Sequence, residues 1–156
     1  MAANWSKRIQ REGPEDQAFD PSECLYLACK SADVDDDHIV LRAVRFPNWS
    51  VNRGKYSRPT DVLMPNRSGH GVASFRVMDV PATVPVPLGS ATYTFVVVHD
   101  PVKSSVREQT NYAHSEVRTF KNGRAYDVKI DIAKSAKLEF RARLRDAIVL
   151  LRRPKI

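Results

Sequence analysis

Residues Tyr93–Glu116 read YTFVVVHDPVKSSVREQTNYAHSE, and how this stretch is read decides the fold. Tyr93–Val98 is a run of aromatic and β-branched residues, the composition of a buried strand. Polar chemistry follows at once, with His99-Asp100 at the strand's exit and His114-Ser115-Glu116 where the chain rises into the next strand. Just beyond, Glu116–Phe120 and Arg124–Ile130 flank Lys121-Asn122-Gly123. Asn-Gly between two β-type runs predicts a hairpin, because both residues tolerate the positive φ of a tight turn.

Upstream, Gly71–Met78 alternates as a strand, and so does His38–Phe46, with Ile39, Leu41 and Ala43 on one face. The segment between them, Ser50–Gly69, is polar and rich in Arg, Pro, Asn and Gly, so it reads as a long irregular connection with Val62-Leu63-Met64 as its one short strand. Pro81, Pro85 and Pro87 mark an extended connection. Asp20-Pro21-Ser22-Glu23 has the form of a helix start, predicting a short helix through Leu27 or Lys30. Met1–Phe19 shows little periodicity and reads as a flexible or partner-bound tail. Downstream, Asp131 can cap a helix over Ile132–Arg145, where Ala, Lys, Leu, Glu and Arg dominate, and Ala147–Leu151 reads as a last strand.

These elements predict an α+β fold: one domain with a mixed or mainly antiparallel sheet and a C-terminal helix packed on one face. Residues 1–37 form an acidic N-terminal extension with a short helix, and residues 38–156 a basic α+β domain. The charge supports that division. Residues 1–40 carry 4 Lys/Arg against 9 Asp/Glu, and the remainder 21 against 9, so a net −5 precedes a net +12. A basic body of this kind attracts nucleic acid by neutralising phosphates, or docks on an acidic protein surface.

No apolar run approaches the roughly 20 residues that span a bilayer, and the N-terminus has no apolar core of a secretory signal, so a cytoplasmic protein without membrane association is expected. Cys24 and Cys29 have no second pair to complete a zinc site and read as reduced thiols.

His99, His114 and Glu116 are the candidate catalytic residues, with Asp100 beside them. Residues two apart on a strand point the same way, so His114 and Glu116 share a face and, with His99, could hold a divalent metal or act as general base and acid. Arg53, Lys55, Arg58 and Arg67 in the irregular connection are candidate anion contacts, and Lys134, Lys137, Arg141 and Arg145 form a basic stripe along the C-terminal helix. The bland alternative for that stripe is a solvated helix face.

RAVRFPNW, SRPTDVLMP, GHGVASFRV and NYAHSEV, followed by a Lys/Arg/Ala-rich helix and an apolar strand, resemble a group of short uncharacterised bacterial proteins. That group shares an Arg-bearing first strand, an R-P-[ST] segment, a G-x-A-x-F strand and an N-x-A-H element in this order. The resemblance covers Leu41–Arg152, implies one α+β domain, carries no assigned activity, and points to Arg58, Asn111 and His114. The leading expectation is a non-catalytic basic module docking on nucleic acid or an acidic partner within a bacterial complex, with no cofactor and with its N-terminal tail available to a larger assembly. The alternative is a small metal-assisted hydrolase or nuclease using the His/Glu site.

Overall fold

The computed structural model describes residues 5–63, 66–104, 109–124 and 131–155, without the side chains of Leu41 and Ser104. The strands are β1 Cys24–Cys29, β2 Val34–Asp35, β3 His38–Ile39, β4 Asn48–Arg53, β5 Gly71–Arg76, β6 Tyr93–His99, β7 Val102–Ser104, β8 Gln109–Asn111, β9 His114–Lys121 and β10 Val149–Arg152, with helix α1 at Lys134–Leu144. Six of the strands form one sheet in the order β10-β5-β1-β4-β9-β6. Every pairing in it is antiparallel. The fold is therefore α+β, an antiparallel sheet with one C-terminal helix.

One face of the sheet carries the main core. Leu25 and Leu27 of β1, Trp49 and Val51 of β4, Phe75 of β5, Phe95 of β6 and Val117 of β9 are buried together, and Ala136, Phe140 and Leu144 of α1 join them. Trp49 stacks on Phe75 at 4.8 Å, while Phe140 meets Phe95 at 4.3 Å and Phe46 at 5.3 Å between ring centroids. Such aromatic pairs add about 0.5–1.5 kcal/mol each beyond the area they bury. The opposite face is covered at one end, where a 3₁₀ turn at Pro59–Leu63 lays Val62 and Leu63 over Val72, Tyr26 and Ala28.

Several expectations are corrected. No helix follows Asp20; the Asp20 carboxylate instead accepts hydrogen bonds from the Ser22 N–H at 2.8 Å and hydroxyl at 2.6 Å, closing a turn. Cys24–Cys29 form β1, with Leu25, Leu27 and Cys29 buried alternately, between β5 and β4. A helix this short has little stability of its own, so period-two burial in the middle of the sheet wins. The segment placed in an acidic extension therefore contributes a strand to the main sheet.

His38–Phe46 is not a long strand. It holds only β3 and a 3₁₀ turn at Leu41–Ala43. The first residues of the supposed irregular connection form β4, and Val62-Leu63 lies in the 3₁₀ turn rather than a strand. The N-terminal segment also departs from a loose tail in the residues described. Ile9 is fully buried, the Tyr112 N–H donates to the Ile9 carbonyl at 2.7 Å, and Arg8 pairs with buried Asp61 at 3.1 Å.

Other elements agree with the reading. β6 lies where the aromatic and β-branched run puts it and β5 where the alternation does, and Asn122 and Gly123 take φ of 52° and 75° in the predicted turn. The strand expected after that turn falls at 125–130, outside the described residues. Helix α1 begins after Ala133, with no side-chain cap from Asp131. Gly71 is required where β10 crosses β5, because a Cβ there would meet the Arg152 carbonyl at 2.4 Å. Among the described residues no helix is long and apolar enough to cross a membrane.

Candidate functional site

The β6–β9 register pairs His99 with Ser115 and Val98 with Glu116. Alternation therefore sends His99 to the core face and His114 and Glu116 to the other, so the three candidate catalytic residues do not converge.

His99 is completely buried. Its Nδ1 accepts the Asp16 N–H at 2.8 Å and its Nε2 lies 2.6 Å from the Tyr112 carbonyl, which fixes the neutral tautomer with hydrogen on Nε2. Burial pushes its pKa down, and a second proton on Nδ1 would confront a backbone N–H. The Gln17 amide bonds both backbone groups of His99, at 2.9 Å each. This histidine clasps the N-terminal segment to the sheet and meets no open cleft.

Arg53 belongs to the same buried region. Its Nε and Nη2 form a fork with the Glu23 carboxylate at 2.8 and 2.9 Å, Nη2 also donates to the Ala18 carbonyl at 3.1 Å, and Phe19 lies 3.9 Å beneath the guanidinium. Asp16 accepts from Lys55 Nζ at 2.8 Å and from the Tyr56 hydroxyl, bonds that hold its carboxyl well below the usual range. Arg53 is thus an internal ion-pair member and presents nothing to an anion outside. The acidic first quarter of the chain neutralises part of the basic body through Glu23–Arg53, Asp16–Lys55 and Asp37–Arg153.

The opposite face is open. Asp100, His114 and Glu116 bring one ligand atom each within 4.8 Å of one another, the one such group among the described residues. Arg118 stands with its guanidinium 3.4 Å from Asp100 and 3.7 Å from Glu116. Burial and the neighbouring Asp100 carboxyl raise the Glu116 pKa despite Arg118. His114 Nδ1 lies 2.7 Å from the Asp100 carbonyl and Nε2 lies 3.2 Å from Ser50 Oγ.

A cleft of about 580 Å³ opens over β4, with Ser50, Asn52 and His114 among its lining residues and Asp61, Val62 and Arg67 at its sides. A second hollow of about 310 Å³ continues it past Asn48 and Arg45. Lys30, Arg67 and His70 line both. Asn52 is buried, accepts from Asn111 Nδ2 at 2.9 Å, and keeps its own Nδ2 without a partner.

Of the remaining candidate anion contacts, Arg58, Lys134 and Arg145 are exposed, Lys137 is half-buried, and Lys55 is exposed but tied to Asp16. Arg141 is withdrawn from the stripe: its guanidinium donates to the Val44 carbonyl at 2.9 Å and lies 5.2 Å over Phe46, with burial lowering its pKa. Sequence reasoning missed Ser50, Asn52 and Lys30 as groove residues. The alternation of Trp49 and Val51 with Asn48, Ser50 and Asn52 was the available signal for the floor.

Comparison with known proteins finds no match among family models, curated proteins or solved structures.

Proposed function

We propose that this chain is a binding module whose basic groove takes the backbone of a single nucleic-acid strand. One observation carries the reading: Lys30, Arg45 and Arg67 stand around the groove with no ion pair among the described residues, whereas Arg53 and Arg118 elsewhere are paired and Arg8 neutralises Asp61 at the cleft's side. Unpaired cations along a concave path attract a polyanion and release its counterions, and the Asn and Ser side chains of the floor suit sugar and base edges. Exposed Arg58, Lys134 and Arg145 add to the general positive field.

Titration of a labelled single-stranded oligonucleotide tests this. Affinity should fall with salt at a slope of about −0.7 per phosphate contacted, and Arg45→Glu with Arg67→Glu should weaken binding at least about ten-fold. No binding at low ionic strength overturns the reading. Binding to an acidic protein surface, unaffected by competing oligonucleotide, would identify the other partner class.

A second reading, a metal-assisted hydrolase, is favoured by the convergence of Asp100, His114 and Glu116. Arg118 competes for both carboxylates, so an ion has to displace it. Calorimetric titration with Mn²⁺ should give one site that Glu116→Gln abolishes; absence of heat at millimolar Mn²⁺ sinks it.

A further inference from the structure

We propose that Ser50 is a nucleophile activated by His114, and that the groove above it receives a carboxylic ester bearing an anionic group. The nucleophile stands on its own geometry, whereas the anionic part of the substrate rests on the basic-groove reading.

The hydrogen bonds fix the direction of proton flow. A carbonyl oxygen only accepts, so the 2.7 Å contact with the Asp100 carbonyl places the His114 hydrogen on Nδ1. The neutral ring then has its lone pair on Nε2, 3.2 Å from Ser50 Oγ, and Ser50 donates to it. This is the nucleophile–base–orienter order that acyl transfer requires. The orienter is the backbone of Asp100, while its carboxylate stands 3.8 Å from Nδ1. Ser50 itself is exposed and lines the cleft.

Asn52 supplies the independent observation. The Ala113 N–H donates to Asn111 Oδ1 at 3.1 Å, which forces Asn111 Nδ2 toward Asn52 Oδ1 and leaves Asn52 Nδ2 without an acceptor. Asn52 is 4% exposed and lines the cleft. A buried donor left unmade costs about 1–3 kcal/mol, and an incoming oxygen anion removes that cost. Ser50 and Asn52 lie two residues apart on one strand face, a span of roughly 7 Å.

The chemistry balances with water as the second reactant. Ser50 Oγ bonds to the ester carbon as its proton passes to His114 Nε2, and Asn52 Nδ2–H donates to the tetrahedral oxyanion. Collapse breaks the ester C–O bond, and His114 returns the proton to the departing alcohol. Water, deprotonated by His114, then cleaves the acyl-serine to the free acid and restores Ser50. Lys30, Arg67 and His70 line the same cleft and would hold the anionic part.

The test uses an uncharged fluorophosphonate, which forms an Oγ–P bond and releases fluoride, with the adduct located by tandem mass spectrometry. A single adduct on Ser50 is expected, absent in Ser50→Ala and formed at least about 100-fold more slowly in His114→Gln. Hydrolysis of a p-nitrophenyl ester should fall about 100-fold in Asn52→Ala. Because Ser50 is exposed, Ser50→Ala should keep the wild-type circular dichroism and melting midpoint. No adduct on Ser50, or undiminished ester hydrolysis in Ser50→Ala, overturns the proposal. Arg67→Glu should lower kcat/KM for a carboxylate-bearing ester at least about ten-fold more than for the uncharged acetate; equal losses overturn the anionic half and leave the nucleophile standing.

Discussion

His99 and His114 lie on neighbouring strands and have opposite surroundings. His99 is partnered inside the molecule on every side described: Asp16 and Tyr112 hold the ring, Gln17 holds its backbone, and the adjoining Arg53 is locked to Glu23. At His114 one ring nitrogen is held by the Asp100 carbonyl at 2.7 Å, but the other has only Ser50 Oγ at 3.2 Å and a cleft lies open, with Asn52 Nδ2 and Glu116 Oε2 buried but without hydrogen-bond partners. The first region closes the fold and the second leaves binding capacity in reserve. A complete polar network buried on the core side resists change, whereas unmade bonds beside a groove mark a place for a ligand.

Breaking the closed region should cost most. Arg53→Met leaves the Glu23 carboxylate buried without its cation and should destabilise the protein by about 3–5 kcal/mol in urea unfolding. A loss under about 1 kcal/mol would mean that the Arg53 clasp is dispensable. Acidification comes next. The His99 pKa is depressed in the folded state, so its contribution is present above the ordinary histidine value and is lost as pH falls below it. Asp16, also depressed, adds a further loss only below the ordinary carboxylate value, under about pH 4. The melting midpoint should therefore fall from pH 7 to pH 4, and His99→Gln should flatten the upper part of that fall; an identical slope in the variant would contradict the assignment.

The open region should respond least in stability. His114→Ala should shift unfolding by under about 1 kcal/mol, because the ring is partly exposed. Glu116 has the opposite sign to Asp16. Its pKa is raised, so its contribution is present at low pH and lost as pH rises through the raised range, and Glu116→Gln should remove that slope. A large loss of stability on changing His114 would erase the distinction between the two regions.

Much of the fold was legible because its signals are local. The aromatic and β-branched run of β6, the alternation of β5, the Asn-Gly turn and the composition of α1 are each contained in a few consecutive residues. β1 and β4 were hidden by misleading neighbours. Asp20-Pro21 has the form of a helix cap yet closes a turn, and the Arg, Pro and Asn around Val51 mask the period-two pattern of Asn48–Arg53. The same masking concealed Ser50 and Asn52. His114 and Glu116 were legible as a pair from their spacing alone, but the spacing of His99 from them said nothing about which face it takes.

By itself the sequence determined the α+β composition, the turn at Asn122-Gly123, the shared face of His114 and Glu116, and an acidic first quarter ahead of a basic remainder. Only the tertiary structure decided what those charges and histidines do. Strand register pairs Asn52 with His114 and Ser50 with Glu116, bringing the Ser50 hydroxyl to His114 from 64 residues away. The same folding brings Glu23 to Arg53 and buries both charges. Spacing along a strand fixes the direction of a side chain, whereas contact between distant segments depends on a register set by the packing of the whole sheet.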